Sequence, residues 1–377
     1  MNLLGLLCLL AGLLVIALDV WAWLLLRRQR DTPGPVPADW PPVAVLLPVR
    51  NEQEHLPACL QSLLQLEYPA DKLLILVGND ASTDATLALA RDWSARHPQI
   101  QLVDVQHSLG LARGKANVLA QLARACPREV QYFFMTDADI RPHPGWLQRM
   151  LRALRPGIGL VNGTTTVGGN GLWARWQQTD WAVALGLAKA YAHLPGLGQT
   201  LTAIGNNMLI SREAYEATGG YEAIPFSITE DYELLLQIRQ RGYEAVQLMD
   251  APSSARTEPV GHLSQLLHQR KRWMSGAMRL PLPMLGLLFL QAFYFPAIVV
   301  VLWQEPLLGL ALVGTKLLAQ QLLAHTVVRR RLQQPYRPGL WLLYEGYSFV
   351  LSLALIVFYF LPLKIKWKDR SYQSNQP

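Results

Sequence analysis

The chain has 377 residues, 51% of them hydrophobic and 16% charged, a balance that suits a globular domain with membrane segments better than a purely soluble protein. The net charge of +7 sits in clusters beside apolar stretches, and no nucleic-acid reader motif accompanies them, so anionic lipid head groups fit better than a nucleic-acid partner. Three scattered cysteines, Cys8, Cys59 and Cys126, make neither a disulfide framework nor a zinc site.

The first predicted element is an apolar span from Leu3 to Leu26, interrupted by Asp19 and followed at once by Arg27, Arg28 and Arg30. About twenty apolar residues suffice to cross a bilayer as a helix. A cleaved signal peptide is disfavoured: no Lys or Arg precedes the run, the run is long, and no small-x-small cleavage site follows. Residues 1–28 are therefore expected to be an anchor. Residues 29–42 carry Pro33-Gly34-Pro35-Val36-Pro37 and Pro41-Pro42, which reads as a stiff extended linker.

From Val43 the pattern alternates. Strands are predicted at Val43 to Leu47, Leu73 to Val77, Leu102 to Val105 and Tyr132 to Met135, with helices at Glu54 to Gln65, Ala85 to Ala95 and Gly114 to Ala125. A βαβα succession implies a mostly parallel sheet with helices on both faces, and ligands of such sheets bind beyond the carboxyl ends of the strands. The polar motifs fall there: Pro48-Val49-Arg50-Asn51-Glu52, Asn79-Asp80 and Asp137-Ala138-Asp139. The next stretch is less regular, with a helix predicted from Leu172 to Ala192. Apolar spans then follow at Leu280 to Trp303, Leu307 to Val328 and Leu340 to Leu361, the middle one broken by Lys316, Gln320, Gln321 and His325. Arg329 to Arg331 and the basic tail from Lys364 both favour the cytoplasmic side. Three full crossings cannot place both there together with Trp273, so one span is expected to be re-entrant or interfacial.

Asp137 and Asp139 flank one small residue after a strand-like run. Alternate residues of an extended segment point the same way, so both can reach one metal ion or its ligands. A hard divalent cation bridges the phosphates of a nucleotide diphosphate and neutralises charge on the departing group. A solvated turn is the alternative. Asp80 at a strand end can accept from a base or ribose group, whereas Ser82-Thr83-Asp84 is good N-cap chemistry that needs no ligand. Lys115 opens a helix whose N-terminus either meets phosphate oxygens or is an ordinary helix start. Glu230 and Asp231 follow Thr229 at a predicted helix start. They are either dipole-complementing acids or include a general base for an acceptor hydroxyl. In Gln269-Arg270-Lys271-Arg272-Trp273, Arg272 offers charge-assisted bonds to a diphosphate and Trp273 a stacking face for a sugar. A snorkelling interfacial belt accounts for Arg270 and Lys271 as well.

Together and in this order, these motifs resemble those of family 2 glycosyltransferases, nucleotide-sugar enzymes with the GT-A fold, over roughly residues 43–279. The resemblance implies an α/β, Rossmann-like, mostly parallel domain flanked by N- and C-terminal transmembrane helices. It also implies inverting transfer from a nucleotide diphosphate sugar, usually a UDP-sugar, with Mg²⁺ or Mn²⁺. Residue by residue, it implies nucleoside contacts at Arg50, Asn51 and Asp80, a basic residue near the nucleotide at Lys115, and the first motif acid near the donor at Asp137. The metal ligand would be Asp139, and the general base Asp231 with Glu230 beside it. Gln269, Arg272 and Trp273, together with Glu230, would hold the diphosphate and the acceptor end. One departure is Gly78-Asn79-Asp80-Ala81, where the family often shows Asp-Asp-Gly; the missing glycine bears on the loop conformation.

The Gln-x-x-Arg-Trp block occurs in processive polysaccharide synthases and in enzymes that glycosylate lipids such as ceramide, hopanoids or carotenoids. At most four spans, and a tail from Leu363 to Tyr372 like that of lipid-directed bacterial members, favour a single transfer to a membrane lipid acceptor. The expected organisation is an anchor (1–28), a linker (29–42), a catalytic domain (43–279), membrane helices (280–363) and a basic cytoplasmic tail (364–377). This would be a multi-pass protein of a bacterial-type inner membrane with its catalytic domain in the cytoplasm. The alternatives are a processive synthase of an extracellular polysaccharide and a catalytically silent nucleotide-sugar-binding scaffold in an envelope complex. The intact set of Asp139, Asp231 and Arg272 argues against the scaffold.

Overall fold

The structure, a computed structural model, describes residues 1–197, 200–337, 341–367 and 370–372. The chain divides into two compact units. The sheet unit comprises Asp31–Thr166, Thr202–Glu258 and Lys366–Pro377; the helical unit comprises Met1–Arg30, Val167–Leu201 and Pro259–Ile365.

After helix α1 (Leu3–Arg28) come β1 (Val43–Val49), α2 (Leu56–Leu64), β2 (Leu73–Asn79), α3 (Thr86–Arg96), β3 (Ile100–Asp104), α4 (Gly114–Ala125) and β4 (Tyr132–Thr136). Then follow β5 (Ile140–Pro142), α5 (Trp146–Leu151), β6 (Ile158–Asn162), β7 (Thr164–Val167) and α6 (Leu172–Tyr191). Next are β8 (Asn207–Ser211), α7 (Arg212–Ala217), α8 (Glu230–Gln240), β9 (Glu244–Gln247) and β10 (Ser254–Thr257). The chain continues with α9 (Leu263–Ala277), α10 (Leu282–Gln304), α11 (Pro306–His325) and α12 (Trp341–Phe360), then β11 (Ile365–Trp367) and β12 (Arg370–Tyr372).

The main sheet runs β3-β2-β1-β4-β8-β6-β9. The first four strands are mutually parallel, β8 is antiparallel to both its neighbours, and β9 is parallel to β6. Every residue of β1 (VAVLLPV) is buried, as expected of an uninterrupted apolar run in a central strand; β3, at the edge, buries only Ile100 fully. The order reverses between β2-β1 and β4, and the crevice beyond the carboxyl ends of these strands is where such sheets take ligands. The expected βαβα pattern and mostly parallel sheet are observed. Helix α2 starts at Leu56 rather than Glu54, with Pro57 in its first turn, where a missing N–H costs nothing. The N-cap residue of α3 is Ala85, which makes no side-chain capping bond; Asp84, one residue earlier, accepts from Thr86 N–H (3.0 Å) through Oδ1.

Among the described residues four helices, Leu3–Arg28, Leu282–Gln304, Pro306–Arg331 and Leu343–Phe360, are long and apolar enough to cross a membrane. Asn2 N–H donates to Gln304 Oε1 (3.0 Å), so α1 and α10 run antiparallel. Arg331 Nη1 donates to the carbonyls of Leu26 (3.0 Å) and Gln29 (2.5 Å), satisfying the C-terminus of α1. Inside the bundle, Asp19 and Lys316 pair at 3.5 Å, both almost fully buried, and Gln291 Nε2 donates to Asp19 Oδ1 (2.9 Å) and the Tyr191 hydroxyl (3.0 Å). The polar interruptions of the third span thus face protein. Helices α6 and α9, inside the stretch expected as catalytic domain, group with the apolar helices.

Candidate active site

The loops after β1 and β2 brace one another. Asn51, at φ +52°, accepts from Thr83 N–H at Oδ1 (2.9 Å), and its own N–H donates to Ser82 Oγ (3.1 Å). Arg50 Nη1 donates to the carbonyls of Asp80 (2.6 Å) and Ala81 (3.3 Å). Ala81 stands where the family often has glycine, and it adopts φ +49°. The loop therefore keeps the left-handed conformation without the residue that favours it, at a cost of roughly 1–2 kcal/mol. The Asp80 carboxylate itself is held by Arg370 from the C-terminal segment, a residue the sequence pattern had placed only among the basic charges of the tail.

Lys115 ties three motifs together. Its Nζ lies 2.7 Å from Asp137 Oδ1, at the end of β4, and 3.3 Å from Glu230 Oε1, at the start of α8. Burial works against its charge, but the Asp137 and Glu230 carboxylates outweigh that and hold the ammonium above the ordinary lysine range. Beneath them Tyr221 is 2% exposed, its hydroxyl directed at Met135 Sδ (3.7 Å); burial and the nearby acids, Glu230 foremost, push its phenol far up, so it stays neutral.

The adjacent acids Glu230 and Asp231 do different things. Asp231 Oδ2 accepts from Gly205 N–H (2.8 Å) and Oδ1 from Tyr232 N–H (2.8 Å). Gly205 permits that approach: a Cβ there would meet Asp231 Cβ at 2.8 Å and Oδ2 at 2.9 Å. Asp139, just before β5, accepts from Thr257 Oγ1 of the paired strand β10 (3.0 Å) through Oδ2. Cys59 lies under Asp137, and burial and the flanking carboxylates push its thiol pKa up, which favours the thiol over the reactive thiolate.

One crevice is lined by Arg50, Asp80, Lys115, Asp137 and Arg370 over a floor that includes Pro48, Val49 and Val118. Among the described residues no cluster of three or more His, Cys, Asp or Glu could hold a metal ion. The oxygen donors of Asp139 and Asp137 suit Mg²⁺ or Mn²⁺, which take most of their ligands from substrate phosphates and water.

Gln269, Arg272 and Trp273 lie on α9 in the helical unit, half-buried and at the i, i+3, i+4 spacing of one helix face. Trp273 packs on Trp181 (ring centroids 4.5 Å), and the Arg270 guanidinium lies 4.4 Å from its centroid while pairing with Asp180 at 2.5 Å. Lys271 does not snorkel. It is 1% exposed, and its Nζ donates to the carbonyls of Phe358 (3.2 Å), Leu361 (2.8 Å) and Leu363 (3.1 Å), closing the C-terminus of α12. Of the expected tail motif, Lys368 and Asp369 lie outside the described residues.

Among the expected site residues, Arg50, Asn51 and Asp80 share one braced loop pair, and Lys115, Asp137 and Glu230 one ion cluster. Sequence reasoning missed Arg370, Gly205, Thr257 and Tyr221. A single Gly ahead of Asn206-Asn207 was the only available signal for Gly205.

This fold, with acids at its strand ends, defines a protein of the GT-A class of glycosyltransferases. The chain belongs to glycosyl transferase family 21, a family-2-like group, whose pattern matches residues 6–376. It is 24% identical over 291 residues to a beta-monoglucosyldiacylglycerol synthase of Synechocystis sp., covering 70% of this chain and 58% of that one. It is 27% identical over 243 residues to a poly-beta-1,6-N-acetyl-D-glucosamine synthase of Staphylococcus epidermidis, covering 62% of this chain and 54% of that one. The chain thus spans between half and three-fifths of the length of these curated relatives. Among solved structures, a Pyrobaculum calidifontis mannosyltransferase in complex with GDP-Man and Mn²⁺ shares the fold, with TM-score 0.61, 20% identity, and coverage of 95% of this chain and 98% of that one.

Proposed function

We propose that the protein is an inverting glycosyltransferase that moves a sugar from a UDP-sugar to a membrane lipid acceptor. The observation that carries this reading is the Lys115 ion cluster. It leaves Glu230 committed to a cation and Asp231 as the acid held by backbone N–H groups. In the proposed step Asp231 takes the proton of the acceptor hydroxyl, the hydroxyl oxygen bonds to the anomeric carbon, and the bond from that carbon to the diphosphate oxygen breaks. A divalent cation at Asp139, when bound, would neutralise charge on the departing diphosphate. Gln269, Arg272 and Trp273 are proposed to serve the diphosphate and the acceptor end.

The lipid acceptor is supported by the glucosyldiacylglycerol synthase likeness and by the four apolar helices. We place the sheet unit in the cytoplasm. Arg331 caps α1 and Lys271 caps α12, so α11 and α12 both finish in basic company. That is the pattern expected if one of the C-terminal spans is not a full crossing. Likeness to a polysaccharide synthase favours a second reading, processive addition.

The test is incubation of the full chain in lipid nanodiscs with labelled UDP-sugars, GDP-mannose and membrane lipid extract, followed by product mass analysis. The expected product is a lipid one sugar heavier, formed from a UDP-sugar and lost in excess chelator. A ladder of sugars would replace this reading with the processive one, and donor binding without any product would replace it with the scaffold. Asp231→Asn should cut transfer by roughly 10²- to 10⁴-fold while donor affinity stays within a few-fold. Collapse of donor binding in that variant would reassign Asp231 to the donor.

A further inference from the structure

Arg370 comes after the last apolar helix, which ends at Phe360, yet it belongs to the sheet unit. Its Nη1 lies 2.7 Å from Asp80 Oδ2 and its Nη2 donates to Asp80 Oδ1 at 2.9 Å, a bidentate pair at the end of β2. Both side chains are largely shielded, at 34% and 15% exposure, and the guanidinium lines the same crevice as Arg50, Lys115 and Asp137. The other two cations are built into the rim: Arg50 braces two backbone carbonyls, and Lys115 joins Asp137 to Glu230. Arg370 instead enters from a segment far away in the chain.

We propose that this C-terminal segment completes the donor site, with Arg370 binding the diphosphate of the nucleotide sugar and Asp80 holding the guanidinium in place; the inference rests on the nucleotide-sugar reading above. Two arguments separate this role from that of a plug that must leave before a donor enters. A carboxylate offers about four lone-pair sites, and a bidentate guanidinium uses two of them, so Asp80 keeps acceptor capacity for a base or ribose group with Arg370 in place. The sign of the charge also decides. A nucleoside diphosphate is polyanionic, and with Arg370 in place the crevice is lined by three cations, Arg50, Lys115 and Arg370, against two carboxylates, Asp80 and Asp137, so the segment favours the anion rather than opposing it. Held by Asp80, the planar guanidinium has a fixed orientation, so less freedom is lost when it meets a phosphate.

The experiment measures calorimetric binding of UDP and of uridine to the full chain in nanodiscs with Mg²⁺, for the wild type, Arg370→Ala and Arg370→Lys. UDP affinity should fall roughly 10-fold or more in Arg370→Ala, the loss of a charge-assisted bond, with partial recovery in Arg370→Lys. Uridine affinity should stay within about 3-fold, because the nucleoside carries no phosphate for Arg370 to meet. In the wild type, UDP should slow tryptic cleavage of the segment around residue 370. Unchanged UDP affinity in Arg370→Ala, at an unchanged thermal midpoint, would overturn this inference while leaving the donor reading intact. Tighter UDP binding in that variant, with faster wild-type cleavage in UDP, would make the segment a plug. A wild type that binds neither UDP nor GDP would bring down the donor reading and this inference together.

Discussion

Replacing Lys115 with methionine removes one ammonium and strands two acids. Asp137 Oδ1 and Glu230 Oε1 lie 2.7 and 3.3 Å from Nζ, and the three side chains are only 11–22% exposed, so solvent screens them weakly. Breaking a buried ion pair from one side costs about 3–5 kcal/mol, and the partial exposure of Asp137 places the expectation near the lower end, about 3 kcal/mol. For a unit of this size that is a fall of roughly 6–12 °C in the thermal midpoint. The pH dependence follows from the sign of the shift. Asp137 and Glu230 hold the Lys115 pKa above its ordinary value, against burial. Its stabilising contribution is therefore complete below the unfolded-state value of roughly 10.4 and is lost only as pH rises through the folded value. Across pH 6–9 the deficit of Lys115→Met should be constant. Under acid it should shrink, because two carboxylates without their cation protonate readily. Tryptophan-fluorescence melts of the full chain in detergent, from pH 5 to 10, measure this, with Lys115→Met/Glu230→Gln expected to regain part of the loss. A midpoint shift below about 2 °C at neutral pH, or a deficit that grows under acid, would refute the ion-cluster argument.

Three further changes probe other parts of the molecule. Gly205→Ala places a Cβ 2.8 Å from Asp231 Cβ, so the carboxylate must move; transfer should fall roughly 10²-fold with UDP affinity nearly unchanged, and a wild-type turnover would show that Asp231 needs no such positioning. Ala81→Gly relieves a left-handed alanine at φ +49° but frees the unfolded chain, so the midpoint should rise by about 1–3 °C; a fall would contradict that backbone conformation. Lys316→Met leaves the fully buried Asp19 without its cation and should cost about 3–5 kcal/mol, most of it recovered in Lys316→Met/Asp19→Leu; an additive double variant would mean that the two are not coupled.

The sheet was legible because its signal is local. Val43 to Leu47 is an unbroken apolar run closed by a proline and a polar cluster, and such a run has few places to go except the middle of a parallel sheet. The apolar helices were legible for the same reason, to within two residues at most ends. Lys271 shows where local reasoning stops. A lysine before an apolar span fits an interfacial belt, yet three carbonyls at and just beyond the end of α12 accept from it, and they lie 87 to 92 residues away in the chain. Arg370 is the same case at the crevice of the sheet unit: composition revealed a basic tail, and only the tertiary structure shows that one of its charges meets Asp80.

Glu230 and Asp231 lie between these extremes. Successive residues on a helix are turned by about 100°, so two adjacent acids at the start of α8 point in different directions, and that much follows from the sequence once the helix is placed. Which acid faces which partner depends on residues outside the helix. Lys115 projects from the first turn of α4 and takes Glu230; Gly205, lacking a side chain, lets its N–H reach Asp231. The neutralised acid and the acid held by backbone N–H groups are thus set by a cation on one side and a missing Cβ on the other. Glu230→Gln and Asp231→Asn should therefore separate, the first lowering stability through Lys115 and the second lowering transfer.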